Sequence, residues 1–278
     1  MNPKLLALYG LKWNPFAPDV PVSALLASPK IDTFCWRVES LAREGGFALV
    51  TGDPGLGKSV ALRLLVEKLS TQRELTLGLL SRPQARLQDF YRELGDLFDV
   101  QLAPHNRWSG TRLLRERWQA HIESSLLRPV LVIDEAQEMM PSVLNELRLL
   151  CAVDLDSRAL LTVVLAGDLR LTEKFRSPEL LPLGSRIRVR LALSAATPQE
   201  LVECLRHAID QAGSPRLMTA ELMVTLAEHA AGSYRILMTM ANELLDAATQ
   251  RDAKQIDEKL YLEVFAAPVN YERKGKGR

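Results

Sequence analysis

Cysteine, histidine and net charge are all scarce in this 278-residue chain. The three cysteines, Cys35, Cys151 and Cys204, lie far apart and show neither CxxC nor Cys/His zinc spacing. That excludes a disulfide framework and a structural zinc site, and leaves them as small apolar residues in a reducing compartment. The four histidines, His105, His121, His207 and His229, form no HExxH pair, which argues against a protein-held transition metal. No apolar run reaches the roughly 18 residues that would cross a bilayer. The short apolar start is broken by Gly10, Lys12 and Pro15 before any small-residue cleavage site, so it reads as mature protein. A cytoplasmic protein with no membrane partner is expected. The formal net charge is +1, so no global field points to nucleic acid or an anionic surface. Residues 272–278 carry +3, which leaves −2 for the rest, and any basic partner surface must be local.

What is present is the ordinary globular mix, 47% apolar and 25% charged, at a length suited to one large domain or a medium one with a small companion. Residues 1–30, rich in proline and aromatic side chains (Trp13, Pro15, Phe16, Pro18, Pro21), are expected to form an extended arm rather than a helix. From 31 onward, helical spacing alternates with short apolar runs at 47–51, 75–80, 130–133 and 160–166, and with a last short strand in which Ile187, Val189, Leu191 and Leu193 alternate. That alternation predicts an α/β fold with a parallel sheet covered on both faces. After Leu193 only helical patterns remain. The first is opened by Thr197-Pro198-Gln199-Glu200, which reads as a capping box with proline at the first helical position, and Gly213 can close it. The expected organisation is an arm at 1–30, a core at 31–195, a helical lid at 196–265 and a basic tail at 266–278.

The strongest chemical signal is GDPGLGKS, running from Gly52, Asp53, Pro54, Gly55, Leu56 and Gly57 to Lys58 and Ser59, with Val60 next in the following helix. A GxxxxGKS between a strand and a helix is a phosphate loop. Its glycines let backbone N–H groups curl around phosphate oxygens, Lys58 neutralises the β and γ phosphates, and the Ser59 hydroxyl ligates magnesium. The apolar run Val130-Leu131-Val132-Ile133 ends in the acidic pair such a loop needs. Asp134 would hold Mg2+ through its water shell, and Glu135 would orient and polarise the attacking water. ATP and Mg2+ are the expected ligands, and ATP hydrolysis, fast or slow, the expected activity.

The order GDPGLGKS, VLVIDEAQ, NELRLL, VVLAGD, GSRIRVRLAL and GSYRILM resembles AAA+ ATPases. Within them it resembles the group that holds the ExeA-type secretion ATPases and the transposition helpers TniB, TnsC, IstB and MuB. The resemblance implies a P-loop NTPase αβα sandwich followed by a small all-α lid. By position it makes Arg235 the sensor 2 arginine, reaching the γ phosphate, and Arg186 the arginine finger given to a neighbouring subunit, with Arg188 and Arg190 as competitors. At the sensor 1 position, where a neutral polar residue is usual, this chain has Asp168. A carboxylate there opposes the γ phosphate unless it is protonated, a cation such as Arg170 pairs with it, or it faces elsewhere. The resemblance also sets Pro15-Phe16 against adenine, although aromatic core packing explains that pair equally well.

The transposition branch implies a ring or helical filament of this chain on double-stranded DNA, regulating a transposase and its target-site selection. Phosphate contacts would come from local arginines: Arg82 and Arg86 after the second strand, and Arg107, Arg112, Arg115 and Arg117 near Trp108. This is the leading expectation. Ending after the lid favours it over the alternative, an ExeA-type secretion-pathway ATPase, which normally continues into a membrane segment. A nucleotide-gated scaffold with little hydrolysis is the third reading, kept open by Asp168.

Overall fold

Strands β1 (Gly46–Thr51) and β6 (Thr162–Gly167) are buried at every position, so they need apolar cover on both faces. The computed structural model describes residues 3–81, 83, 86–100, 107–153 and 158–265. In it these two strands join β2 (Leu75–Leu80), β3 (Arg128–Ile133) and β7 (Ile187–Ala192) in a parallel sheet of order β2-β3-β6-β1-β7. Two short strands, β4 (Ala152–Val153) and β5 (Arg158–Ala159), pair antiparallel just before β6. They are too short for the alternation pattern to reveal.

Side chains alternate between the two faces of the sheet. Phe47, Leu49, Leu131, Ile133, Val163 and Leu165 face a cluster with α4 (Leu87–Phe98), α5 (Arg107–Ser125) and α6 (Pro141–Cys151). There Trp118 is fully buried, edge-on to Phe98 with ring centroids 5.2 Å apart. Ala48, Val50, Val130, Val132 and Val164 face α2 (Pro29–Ala42) and α3 (Lys58–Ser70). Because β6 lies between β1 and β3, the loops that leave these three strands sit side by side at the carboxyl end of the sheet. Two short helices follow β6: α7 (Leu169–Lys174) and α8 (Leu181–Gly184).

The sheet unit comprises Ala27–Ser194, and the segments on either side of it make up a second, helical unit. In the helical unit the expectation of an extended arm is corrected, because Pro3–Tyr9 form a helix, α1. Its residues Leu5 and Tyr9, four apart, are both buried in the helical core, the Tyr9 hydroxyl donates to the Ala253 carbonyl at 2.9 Å, Pro3 stands at the first helical position where proline is tolerated, and Pro15, Pro18 and Pro21 come after the helix. Tertiary burial of one apolar stripe suffices for a helix this short. Phe16 is buried in the same cluster.

The remaining helices are α9 (Pro198–Ala212), α10 (Ala220–His229), α11 (Tyr234–Gln250) and α12 (Glu258–Phe265). The capping box read from the sequence is present at α9. The Thr197 Oγ1 accepts the Glu200 N–H at 3.2 Å, Glu200 Oε2 accepts the Thr197 N–H at 2.7 Å, and Gly213 ends the helix at φ 95°. None of the described helices is long and apolar enough to cross a membrane.

Candidate active site

The loop between β1 and α3 takes the shape its glycines permit. Gly55 (φ 90°) and Gly57 (φ 96°) adopt left-handed backbone that L side chains rarely tolerate, and Gly57 caps the helix. Gly52 is required for space, since a Cβ there would stand 2.9 Å from the Leu193 carbonyl oxygen. Lys58, buried at the first turn of α3, donates from Nζ to the Gly52 carbonyl at 2.8 Å and the Asp53 carbonyl at 3.2 Å. The ammonium is thus folded over the loop at a helix N-terminus, where anions are favoured. Asp53 and Pro54 are exposed on the loop, Leu56 is buried beneath it, and Val60 is half-buried in α3.

The Ser59 Oγ donates to Asp134 Oδ2 at 3.5 Å. Two hard oxygens, one in the first turn of α3 and one at the end of β3, beside a buried lysine, form a donor set suited to Mg2+ and the phosphates it accompanies. Burial pushes the Asp134 carboxyl above its ordinary range, opposed by the Glu135 N–H, Lys58 and Ser59. Glu135, exposed, sits in left-handed backbone (φ 52°, ψ 36°), which turns its side chain away from the strand direction and opens the 3₁₀ turn Ala136–Glu138.

Asp168 proves to be paired. It caps α7, its Oδ1 accepting the Arg170 N–H at 2.9 Å, while the Arg170 side chain donates to its Oδ2 at 2.8 Å. Arg170 also reaches Glu138 Oε1 at 2.8 Å. Partial burial raises the Asp168 pKa, but Arg170 and then Lys58 outweigh it and hold the carboxyl below its ordinary value. The cation named from the sequence as its neutralising partner is the one the structure provides.

Residues 42–175 match the family model described as AAA domain. That stretch, just under half of the chain, is similar to an AAA domain. General secretion pathway protein A of Aeromonas hydrophila is 32% identical over 216 residues, which are 76% of this chain and 39% of that protein. The chain therefore spans well under half the length of this relative. Among solved structures, Cdc6p of Pyrobaculum aerophilum matches with a TM-score of 0.69 at 18% identity, covering 90% of this chain and 70% of that one. The ORC2 protein of Aeropyrum pernix, in its ADPNP-ADP complexes, matches with a TM-score of 0.72 at 13% identity, over 94% and 73%. The RuvB Holliday junction branch migration motor of Thermotoga maritima gives 0.53 at 19% identity, over 91% and 72%. At these identities the likeness is one of fold: a P-loop NTPase of the AAA+ type, with a five-stranded parallel sheet and flanking helices.

The structure brings Lys58, Ser59, Asp134, Glu135 and Asp168 to one end of the sheet. Other residues singled out from the sequence lie elsewhere. Arg186, just after α8, donates from Nη1 to the Pro182 carbonyl at 2.6 Å, while its competitors bind Glu44 (Arg188, 3.0 Å) and the Gly184 carbonyl (Arg190, 2.9 Å). Arg235 is an exposed residue in the first turn of α11, in the helical unit. Arg86 is exposed at the N-cap of α4, and Arg112 on α5 pairs with Glu116 at 2.6 Å. Arg107 begins α5, but its side chain, Arg82 and the tail from 266 lie outside the described residues.

Sequence reasoning missed Gln137. It is 4% exposed, its Nε2 donates to Glu135 Oε2, and its Oε1 accepts the Asp168 N–H at 3.3 Å. The available signal was an amide two residues beyond the acidic pair, on a turn otherwise flanked by the apolar Ala136 and Met139.

Proposed function

We propose that this chain is an ATP-hydrolysing AAA+ switch. The observation that carries this reading is the convergence of Lys58, Ser59, Asp134 and Glu135 at the ends of β1 and β3, with the Ser59 hydroxyl 3.5 Å from Asp134. Lys58 and the loop N–H groups bind the phosphates of ATP, Ser59 and Asp134 hold Mg2+, and Glu135 takes the proton of the attacking water. Bound magnesium neutralises charge on the β and γ phosphates. The Asp168–Arg170 pair removes the electrostatic objection to turnover, which weakens the scaffold reading. Arg186 is proposed as the finger given to a neighbouring copy in a homo-oligomer, and Arg235 as a further nucleotide-binding residue. Measuring phosphate release by the wild type and by Lys58→Ala tests this reading. Equal rates would refute it.

For the process served, the reading with the stronger support is secretion, since the secretion protein of Aeromonas hydrophila shares 32% identity over most of this chain. It predicts turnover indifferent to DNA and association with a membrane-bound partner. A second reading, assembly on duplex DNA to regulate a transposase, draws on the exposed arginines Arg86 and Arg117 and on Arg112. It predicts turnover and ring or filament formation that depend on duplex DNA. Electron microscopy of the protein with an ATP analogue, with and without DNA, separates the two.

A further inference from the structure

The turn after β3 and the turn after β6 are joined by more bonds than packing requires. Gln137 bridges Glu135 and the Asp168 N–H. Arg170 bridges Glu138 and Asp168. Lys174 of α7 donates to the carbonyls of Gln137 and Met139, the latter at 2.9 Å. The middle link is made possible by a glycine. A Cβ on Gly167, the last residue of β6, would stand 2.5 Å from Gln137 Oε1. The amide therefore passes across the strand end where no other residue would leave room for it.

The orientation of this amide is determined by its partners. The Asp168 N–H can only donate, so it takes Oε1, and Nε2 is left to face the Glu135 carboxylate, which can only accept when ionised. With the amide 4% exposed, neither bond competes freely with water. Asp168 itself is held by its own helix and by Arg170, so it offers no neutral donor to a water or a phosphate oxygen.

We propose that Gln137 is a positioning residue for hydrolysis: its amide, aligned by the Asp168 N–H, holds the Glu135 carboxylate. The proposal rests on the reading of Glu135 as the base. It makes the end of β6 and the base one unit, so that a shift of the β6–α7 turn is transmitted to the Glu135 carboxylate through a single side chain. Gln137 acts through Glu135 and does not touch the phosphates.

Two measurements on the full chain test this. In nucleotide-free protein labelled with 15N at glutamine side chains, Glu135→Ala should move the Gln137 amide resonance, and an unmoved resonance overturns the contact. In turnover assays, Gln137→Leu should lower kcat about 30-fold with KM for ATP changed less than about threefold, as expected for an interaction that orients a base rather than binds substrate. Gln137→Glu, which keeps an acceptor for the Asp168 N–H but sets a like charge against Glu135, should lower kcat at least as far. If either variant unfolds, the other decides. A kcat within about threefold of wild type in a folded variant overturns the proposal. Absence of turnover in the wild type refutes the ATPase reading and the hydrolytic role of Gln137 with it, and the resonance shift then reports separately whether the amide holds Glu135.

Discussion

At the carboxyl end of the sheet, polar side chains bond across long stretches of sequence, whereas the exposed charges of α4 and α5 bond within their own helices. Ser59 meets Asp134, 75 residues away, and Gln137 meets the Asp168 backbone, 31 residues away. By contrast Arg112 pairs with Glu116 one turn on, Arg92 with Asp89, and Gln119 with Glu123. The first set is aimed by the strands beneath it and is partly buried. The second is solvated, and pairs of this kind contribute little to stability. A preorganised site and a merely charged surface differ in this: in the first, each group limits where its neighbours can go.

The contrast is sharpest at Lys58. Lys58→Ala should raise the dissociation constant for ATP by at least about 100-fold, since it removes the only buried ammonium among the described residues, and titration with a fluorescent nucleotide measures it. A change under tenfold would mean that the loop amides alone bind the phosphates. Next comes Glu135→Gln, expected to slow hydrolysis about 100- to 1,000-fold while ATP stays bound, as read by single-turnover kinetics. An equal loss of binding would move Glu135 from base to ligand.

A smaller effect is expected at Asp168, where the cap on α7 can be separated from the charge pair. Asp168→Ala should cost about 1 kcal/mol of stability at neutral pH through loss of the cap. Because the folded carboxyl sits below its ordinary value of 3.8, its extra stabilisation is fully present above that pH. It disappears as the pH falls through the depressed folded value, so the stability gap between wild type and variant should narrow only under strong acid. A gap that narrows near neutrality in denaturant titrations would contradict the pairing with Arg170. Smallest of all, Arg112→Ala should leave the midpoint of denaturant unfolding unchanged within error. If duplex DNA is the partner, the same change should weaken binding uniformly across sequences and reduce the salt slope by about one. A larger, sequence-dependent loss would show that this arginine is aimed after all.

How much was legible in advance follows from how local each signal is. The phosphate loop and the acidic pair were readable because each is a contiguous string whose chemistry depends on its own spacing. Strands β1, β3 and β6 were readable because burial on both faces leaves an unbroken apolar run, and β7 because its apolar residues alternate with exposed ones. The capping box at Thr197 and Glu200 was readable for the same reason, its partners being three residues apart. The helix at Pro3–Tyr9 was not, because seven residues with little intrinsic tendency to stay helical fold only against an apolar cluster built from distant segments. Nor was Gln137, whose role depends on a glycine 30 positions later in the chain.

The sequence by itself therefore determined the chemistry proposed for the site: which residues are the candidates to bind phosphate, which to hold a cation and which acid stands beside them, because these assignments rest on residue type at fixed short spacing. Only the tertiary structure decided that Asp168 is neutralised by Arg170 and that Gln137 ties Glu135 to the end of β6. The reason is the strand order. Placing β6 between β1 and β3 brings together turns that lie far apart in the chain, and hydrogen bonds act only over the last few ångströms of that approach.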